Sequence, residues 1–119
     1  MDGKNIKRGK IYLASLDPSF GAEISKTRPA LVVSNNFNNL HSNTITVLPI
    51  TSEVEKIFPF NVYIEKGEGN LPKSSKIKAD QIRTIDKMRI VKEIGELSNE
   101  IMDKVEKAIC IHLNIKSNN

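Results

Sequence analysis

Ala30-Leu31-Val32-Val33, closed by the asparagine-rich run Ser34 to Asn43 and followed by Thr44-Ile45-Thr46-Val47-Leu48-Pro49, is the stretch that decides the fold. Four consecutive apolar side chains bounded by polar residues are too few for an ordinary helix and fit a compact buried strand. Thr44 to Leu48 alternates β-branched residues, the period of a strand, and Pro49 ends it because proline brings no N–H to a ladder. Working toward the N-terminus, Ile11 to Leu16 predicts a first strand, stopped by Asp17-Pro18 and followed by a long loop, Pro18 to Pro29, around Gly21. In the other direction a polar loop, Thr51 to Phe58, leads into a strand over Phe60 to Ile64. Gly67-Glu68-Gly69-Asn70 is a turn by composition. Ser75 to Ala79 and Ile90 to Ile94 give weaker strand signals.

The period then changes. Ser98 can cap a helix, Glu100 stands near its positive end, and Ile101, Met102, Val105, Ala108, Ile109, His112 and Leu113 fall on one helical face. The chain is therefore predicted to be mainly β with a C-terminal helix: a small barrel or curled sheet with the helix packed on it. Its 119 residues, without repeat or linker, predict a single domain over 1–119.

Composition narrows the function. A formal net charge of +4 leans toward an anionic partner. Four Phe, two Tyr and no Trp argue against a broad base-stacking platform. Cys110 is the only cysteine, which excludes a disulfide framework and a cysteine-based metal site and predicts a reducing cytoplasm. The apolar runs are far too short for a membrane span or a signal segment. Against this background two islands stand out, Lys26-Thr27-Arg28-Pro29-Ala30 and Asp80-Gln81-Ile82-Arg83-Thr84-Ile85-Asp86. Each sets an arginine in a turn-like stretch near a strand end, and a guanidinium offers a planar fork of donors matched to phosphate oxygens. With no cofactor motif beside them, they point to phosphodiester chemistry or RNA binding. Taken alone, Arg28 reads first as a surface arginine held extended before Pro29.

The islands belong to an ordered set of segments. Arg8-Gly9-x-Ile11-Tyr12, Leu16-Asp17-Pro18, Gly21-x-Glu23, Lys26 to Asn35 and Pro49-Ile50-Thr51-Ser52 come first. Gly67-Glu68-Gly69-x-Leu71-Pro72-Lys73, Asp80 to Lys87 and Gly95-x-Leu97-Ser98 follow. In that order, and over most of the chain, the sequence resembles the MazF/PemK toxin family of endoribonucleases. The resemblance implies an SH3-like barrel with a C-terminal helix, assembled as a homodimer. It also implies metal-independent cleavage of single-stranded RNA at short motifs, leaving a 2′,3′-cyclic phosphate and a 5′-hydroxyl, with no cofactor. An antitoxin with an acidic, flexible segment is the implied protein partner.

RNA carries its own nucleophile, the 2′-hydroxyl, so a ribonuclease must deprotonate it, stabilise charge on the phosphoryl oxygens and protonate the leaving oxygen. Arg28 stands where the family keeps its catalytic arginine, and Thr51 matches the threonine that works beside it. Glu23 can orient Arg28 or take the 2′-hydroxyl proton. Asp80 competes for the base role, with Lys78 at the position of a basic residue in PemK-like members. The general base and acid are open between these groups. Gln81 can read a base edge, and Phe20 and Phe58 can stack on bases from the loops that border the groove. For Phe58, packing beside Pro59 is the alternative. Lys56, Lys73, Lys76 and Lys78 supply backbone attraction. Arg83 is expected to pair with Asp86 and brace its turn, and His112 to be a core or interface residue. His41 has no assigned role, and Cys110 has no histidine partner. Two other functions compete: a gyrase-inhibiting toxin of the related CcdB type without nuclease activity, and a non-catalytic RNA-binding barrel. Retention of Arg28, Thr51 and Asp80-Gln81 argues for the enzyme.

Overall fold

The computed structural model describes residues 6–116. In chain order the strands are β1 (Lys10–Ser15), β2 (Thr27–Val32), β3 (Thr44–Thr51), β4 (Asn61–Ile64), β5 (Ser75–Lys78), β6 (Arg83–Asp86) and β7 (Ile90–Glu96). A short helix α1 (Asn36–His41) joins β2 to β3, and α2 (Asn99–Leu113) closes the chain. The strands form one antiparallel sheet in the order β4-β5-β3-β2-β1-β7, with β6 also paired to β3.

The decisive apolar run is buried on both faces, which is why it does not alternate. Leu31, Leu48, Ile50 and Ile77 point into a core closed by Met102, Val105 and Ala108 of α2. Ala30, Val32, Ile45 and Val47 point the other way, into a second core with Tyr12, Ala14, Leu16 and Ile85. The helix is placed by its cap and its stripe. Ser98 Oγ accepts from Ile101 N at 3.2 Å, and the three buried α2 residues recur at helical spacing. Gly95 is required by a close approach: a Cβ there would lie 2.1 Å from the Gly69 carbonyl oxygen, in the turn that β7 passes.

Three expectations need correction. The first loop ends before Pro29, because Thr27 and Arg28 already pair with Ser15 and Ala14 of β1. The run Ser34 to Asn43 contains a helix: Asn35 caps it by accepting from Asn38 N at 2.8 Å, and buried Asn39 donates to Ser34 O at 2.9 Å. Arg83 to Asp86 is strand β6, so Arg83 and Asp86 lie at opposite ends of it and do not pair. Arg83 donates to Leu16 O at 3.3 Å, and Asp86 accepts from Met88 N at 2.8 Å.

Candidate active site

A proline makes the opening. The β2–β3 ladder stops at the pair Ala30–Pro49, and Pro29 precedes Ala30 on β2. Val33 N donates to Thr46 O across this ladder, so alternation turns the backbone of Pro29 toward β3, and Pro29 has no N–H for the next rung. Continuing the register past that pair sets Arg28 opposite Thr51, beyond the last ladder rung. A cleft of about 220 Å³ lies there, lined by Arg28, Pro29, Ile50, Thr51, Ser52 and the segment Leu71 to Lys73 with Ser75. Arg28 and Thr51 are each anchored by one contact. Arg28 Nε donates to Ser25 O at 2.8 Å, which fixes the plane of the guanidinium. Both Nη groups lack a protein acceptor among the described residues. Thr51 Oγ1 accepts from Glu53 N at 3.2 Å, and its own proton has no acceptor among them. Donors from two strands at one cleft, with no carboxylate of the described residues in ion-pair distance of the arginine, suit an anion with several oxygens.

A second recess, of about 450 Å³, is lined by Ala22, Glu23, Asp80, Gln81, Ile82 and Arg83. Topology assembles it: β5 and β6 follow one another along the same edge of β3, and residues 79–81 turn between them. Its polar groups are engaged. Gln81 Oε1 accepts from Ile24 N at 2.9 Å and Gln81 Nε2 donates to Ala22 O at 3.2 Å, so the carboxamide clamps the first loop. Glu23 Oε1 accepts from Phe20 N at 2.8 Å and has no contact with Arg28. Asp80 Oδ1 accepts from Asn61 Nδ2 at 3.3 Å, and Oδ2 lies 3.9 Å from Lys78 Nζ.

The chain has a close match, over residues 7–113, to the family model described as the PemK-like, MazF-like toxin of type II toxin–antitoxin systems. The chain belongs to this family. Endoribonuclease EndoA of Bacillus subtilis (strain 168) is 40% identical over 109 residues, spanning 91% of this chain and 94% of that protein. Endoribonuclease MazF9 of Mycobacterium tuberculosis is 36% identical over 117 residues, spanning 94% and 99%. Among solved structures, a mycobacterial endoribonuclease in complex with its cognate antitoxin superposes with a TM-score of 0.77 at 24% identity, covering 93% of this chain and 97% of that one. The curled sheet with its terminal helix is thus the PemK/MazF fold.

Within this toxin domain the sequence-predicted residues fall into two groups. Arg28 and Thr51 meet at the smaller cleft, while Glu23, Asp80 and Gln81 meet at the larger recess with Lys78 beside Asp80. Phe20 stands free on the first loop at 86% exposure, and Lys56 is exposed on the second. Phe58 stacks on Phe60, with centroids 5.3 Å apart. His112 is exposed with its ring 5.5 Å from Phe60, so it is not a core residue of the protomer. Sequence reasoning missed two braces. Arg89 donates to the carbonyls of Ser15 and Asp17, holding the start of the first loop, and Asn61 holds Asp80. Neither had a local signal, since each acts across more than a dozen residues of sequence.

Proposed function

We propose that this toxin is an endoribonuclease that cuts single-stranded RNA at a short sequence motif without a metal ion, in the cytoplasm. One observation carries the reading: Arg28 is fixed through Nε while, among the described residues, neither its Nη groups nor the hydroxyl proton of Thr51 opposite has an acceptor. The guanidinium grips the non-bridging oxygens of the phosphate and stabilises the charge that grows on them, and Thr51 adds a donor to the same group. Arg28 is unsuited to carry the proton, having a pKa above about 12. Glu23 and Asp80 remain the two candidate bases for the 2′-hydroxyl. Gln81, Lys78, Phe20 and Lys56 line the path of the bound strand. The naming of both sequence relatives as endoribonucleases supports this reading over gyrase inhibition.

Two protein partners complete it. A second copy of the chain covers exposed apolar side chains at the end of α2, where Ile111, Leu113 and Ile115 are each about half exposed. An antitoxin with an acidic segment occupies the RNA path, as the family description and the antitoxin complex of the mycobacterial relative suggest. The test is incubation with a long, largely unstructured RNA in EDTA, mapping every new 5′ end. Cuts at one recurring motif, lost in Arg28→Ala, are expected. Intact RNA from folded, antitoxin-free protein would overturn the reading, and activity abolished by EDTA would overturn its metal independence.

A further inference from the structure

Lys76 is a basic side chain that is nevertheless buried, at 8% exposure. It lies on β5 directly opposite Thr51. Directly opposed residues of an antiparallel pair point to the same face, with Cβ atoms about 4.5–5.5 Å apart. Lys76 therefore extends the row Arg28–Thr51 by one strand, with Tyr63 of β4 next beyond it. Its Nζ donates to the Lys56 carbonyl at 2.6 Å. An ammonium has three donors, and that carbonyl is its one acceptor among the described residues. No carboxylate of those residues lies within ion-pair distance of it.

A buried cation with neither a counter-ion nor a full set of acceptors opposes folding, and a leucine or methionine would fill the space at less cost. Such a charge is sustained where the missing negative group arrives with a ligand. Its place in the row sets it about two strand spacings, roughly 10 Å, from the Arg28 backbone. A long side chain there reaches the same nucleic-acid backbone without competing for the same oxygens.

We propose that Lys76 is a second phosphate ligand of the cleavage site. Its ammonium takes a non-bridging oxygen of the phosphate flanking the one that Arg28 grips. In the free protein the Lys56 carbonyl holds the amine in place and ties down the loop 52–59. This rests on the endoribonuclease reading above and gives it a second point of attachment on the RNA.

The test uses an RNA bearing the mapped motif with 2′-deoxyribose at the cut, so that it binds without reacting. Affinity is measured from 50 to 200 mM salt for wild type, Lys76→Met and Lys76→Arg. One lost phosphate contact is expected to weaken Lys76→Met about tenfold at low salt and to reduce its log–log salt slope by about 0.7, with Lys76→Arg keeping the slope. In wild type, the Lys76 Cε methylene NMR signal should shift when the RNA is added, a readout that needs no folded variant. An unchanged slope in Lys76→Met, or an unmoved Cε signal, overturns the proposal. Faster amide exchange over 52–59 in Lys76→Met without a slope change would reduce Lys76 to a tether of the loop. Wild type that binds and cuts RNA while Lys76→Met matches it defeats this proposal alone. Wild type that neither binds nor cuts defeats the ribonuclease reading and this one together.

Discussion

The two recesses differ in how far their polar groups are already engaged. In the larger one, Gln81 is occupied at both ends of its carboxamide and Asp80 by Asn61 and Lys78, while Arg83 makes one contact, to Leu16 O. In the smaller one, neither Nη group of Arg28 nor the hydroxyl proton of Thr51 has an acceptor among the described residues. Both contain an arginine and a small set of hydrogen-bonding partners, so residue type does not separate them. What separates them is how much hydrogen-bonding capacity the fold has already used. Satisfied groups hold backbone in place, and unsatisfied donors on a fixed frame are what an anion can meet. Gln81, proposed above to line the RNA path, also holds the loop that carries Ser25, the residue that aligns Arg28.

The sharpest way to break this contrast is Arg28→Lys, which keeps the charge and removes the fork. If geometry matters as argued, cleavage falls by about 10²–10³, the scale of losing one preorganised donor site at a transition state. Cleavage within a few-fold of wild type would show that charge alone suffices. Gln81→Leu tests the other recess and should act through the loop. Amide exchange at Ile24, whose N–H donates to Gln81, should quicken by the equivalent of about 1–2 kcal/mol, with cleavage reduced about tenfold. Lost cleavage with unchanged exchange would return Gln81 to direct RNA contact. The smallest effect belongs to Tyr12, which lines neither recess. Burial raises its phenol above the ordinary range, partly offset by the hydrogen bond from Lys7 N and the charge of Lys10. A raised acid favours its neutral form in the fold, so the stability it lends is whole below about pH 10 and is lost as pH rises further. Denaturation midpoints from pH 8 to 11 should fall less steeply in Tyr12→Phe than in wild type; parallel curves would remove Tyr12 from the alkaline response.

Most of the frame was legible because its signals are local. The apolar run Ala30 to Val33, the alternation of Thr44 to Leu48 and the capped stripe of α2 each announce themselves within a few residues. β6 did not, because Arg83-Thr84-Ile85-Asp86 offers one buried side chain, and its strand character comes from pairing with Thr44 to Val47. The two prolines misled in a useful way. Each was read as a strand limit, yet both strands run through them, and the β2–β3 ladder ends beside Pro29, just before Arg28 and Thr51. At the site, residue types were readable while partnerships were not. Glu23 and Arg28 are five residues apart and share no hydrogen bond or ion pair, whereas Gln81 holds Ile24 and Ala22 across 57 and 59 residues of sequence. Sequence distance says little about such pairs, which the path of the sheet decides.

That β2 and β3 send alternate side chains into separate cores also limits how this toxin can diverge. Removing or adding one residue between Arg28 and Val33, or between Ile45 and Thr51, would exchange the two sets of side chains and turn the guanidinium away from its cleft. Length changes are therefore closed to the strands that carry Arg28 and Thr51. The segments 18–26 and 52–59 bear no such parity. Relatives that come to cut a different RNA motif should differ there in length, around an arginine and threonine whose spacing stays constant.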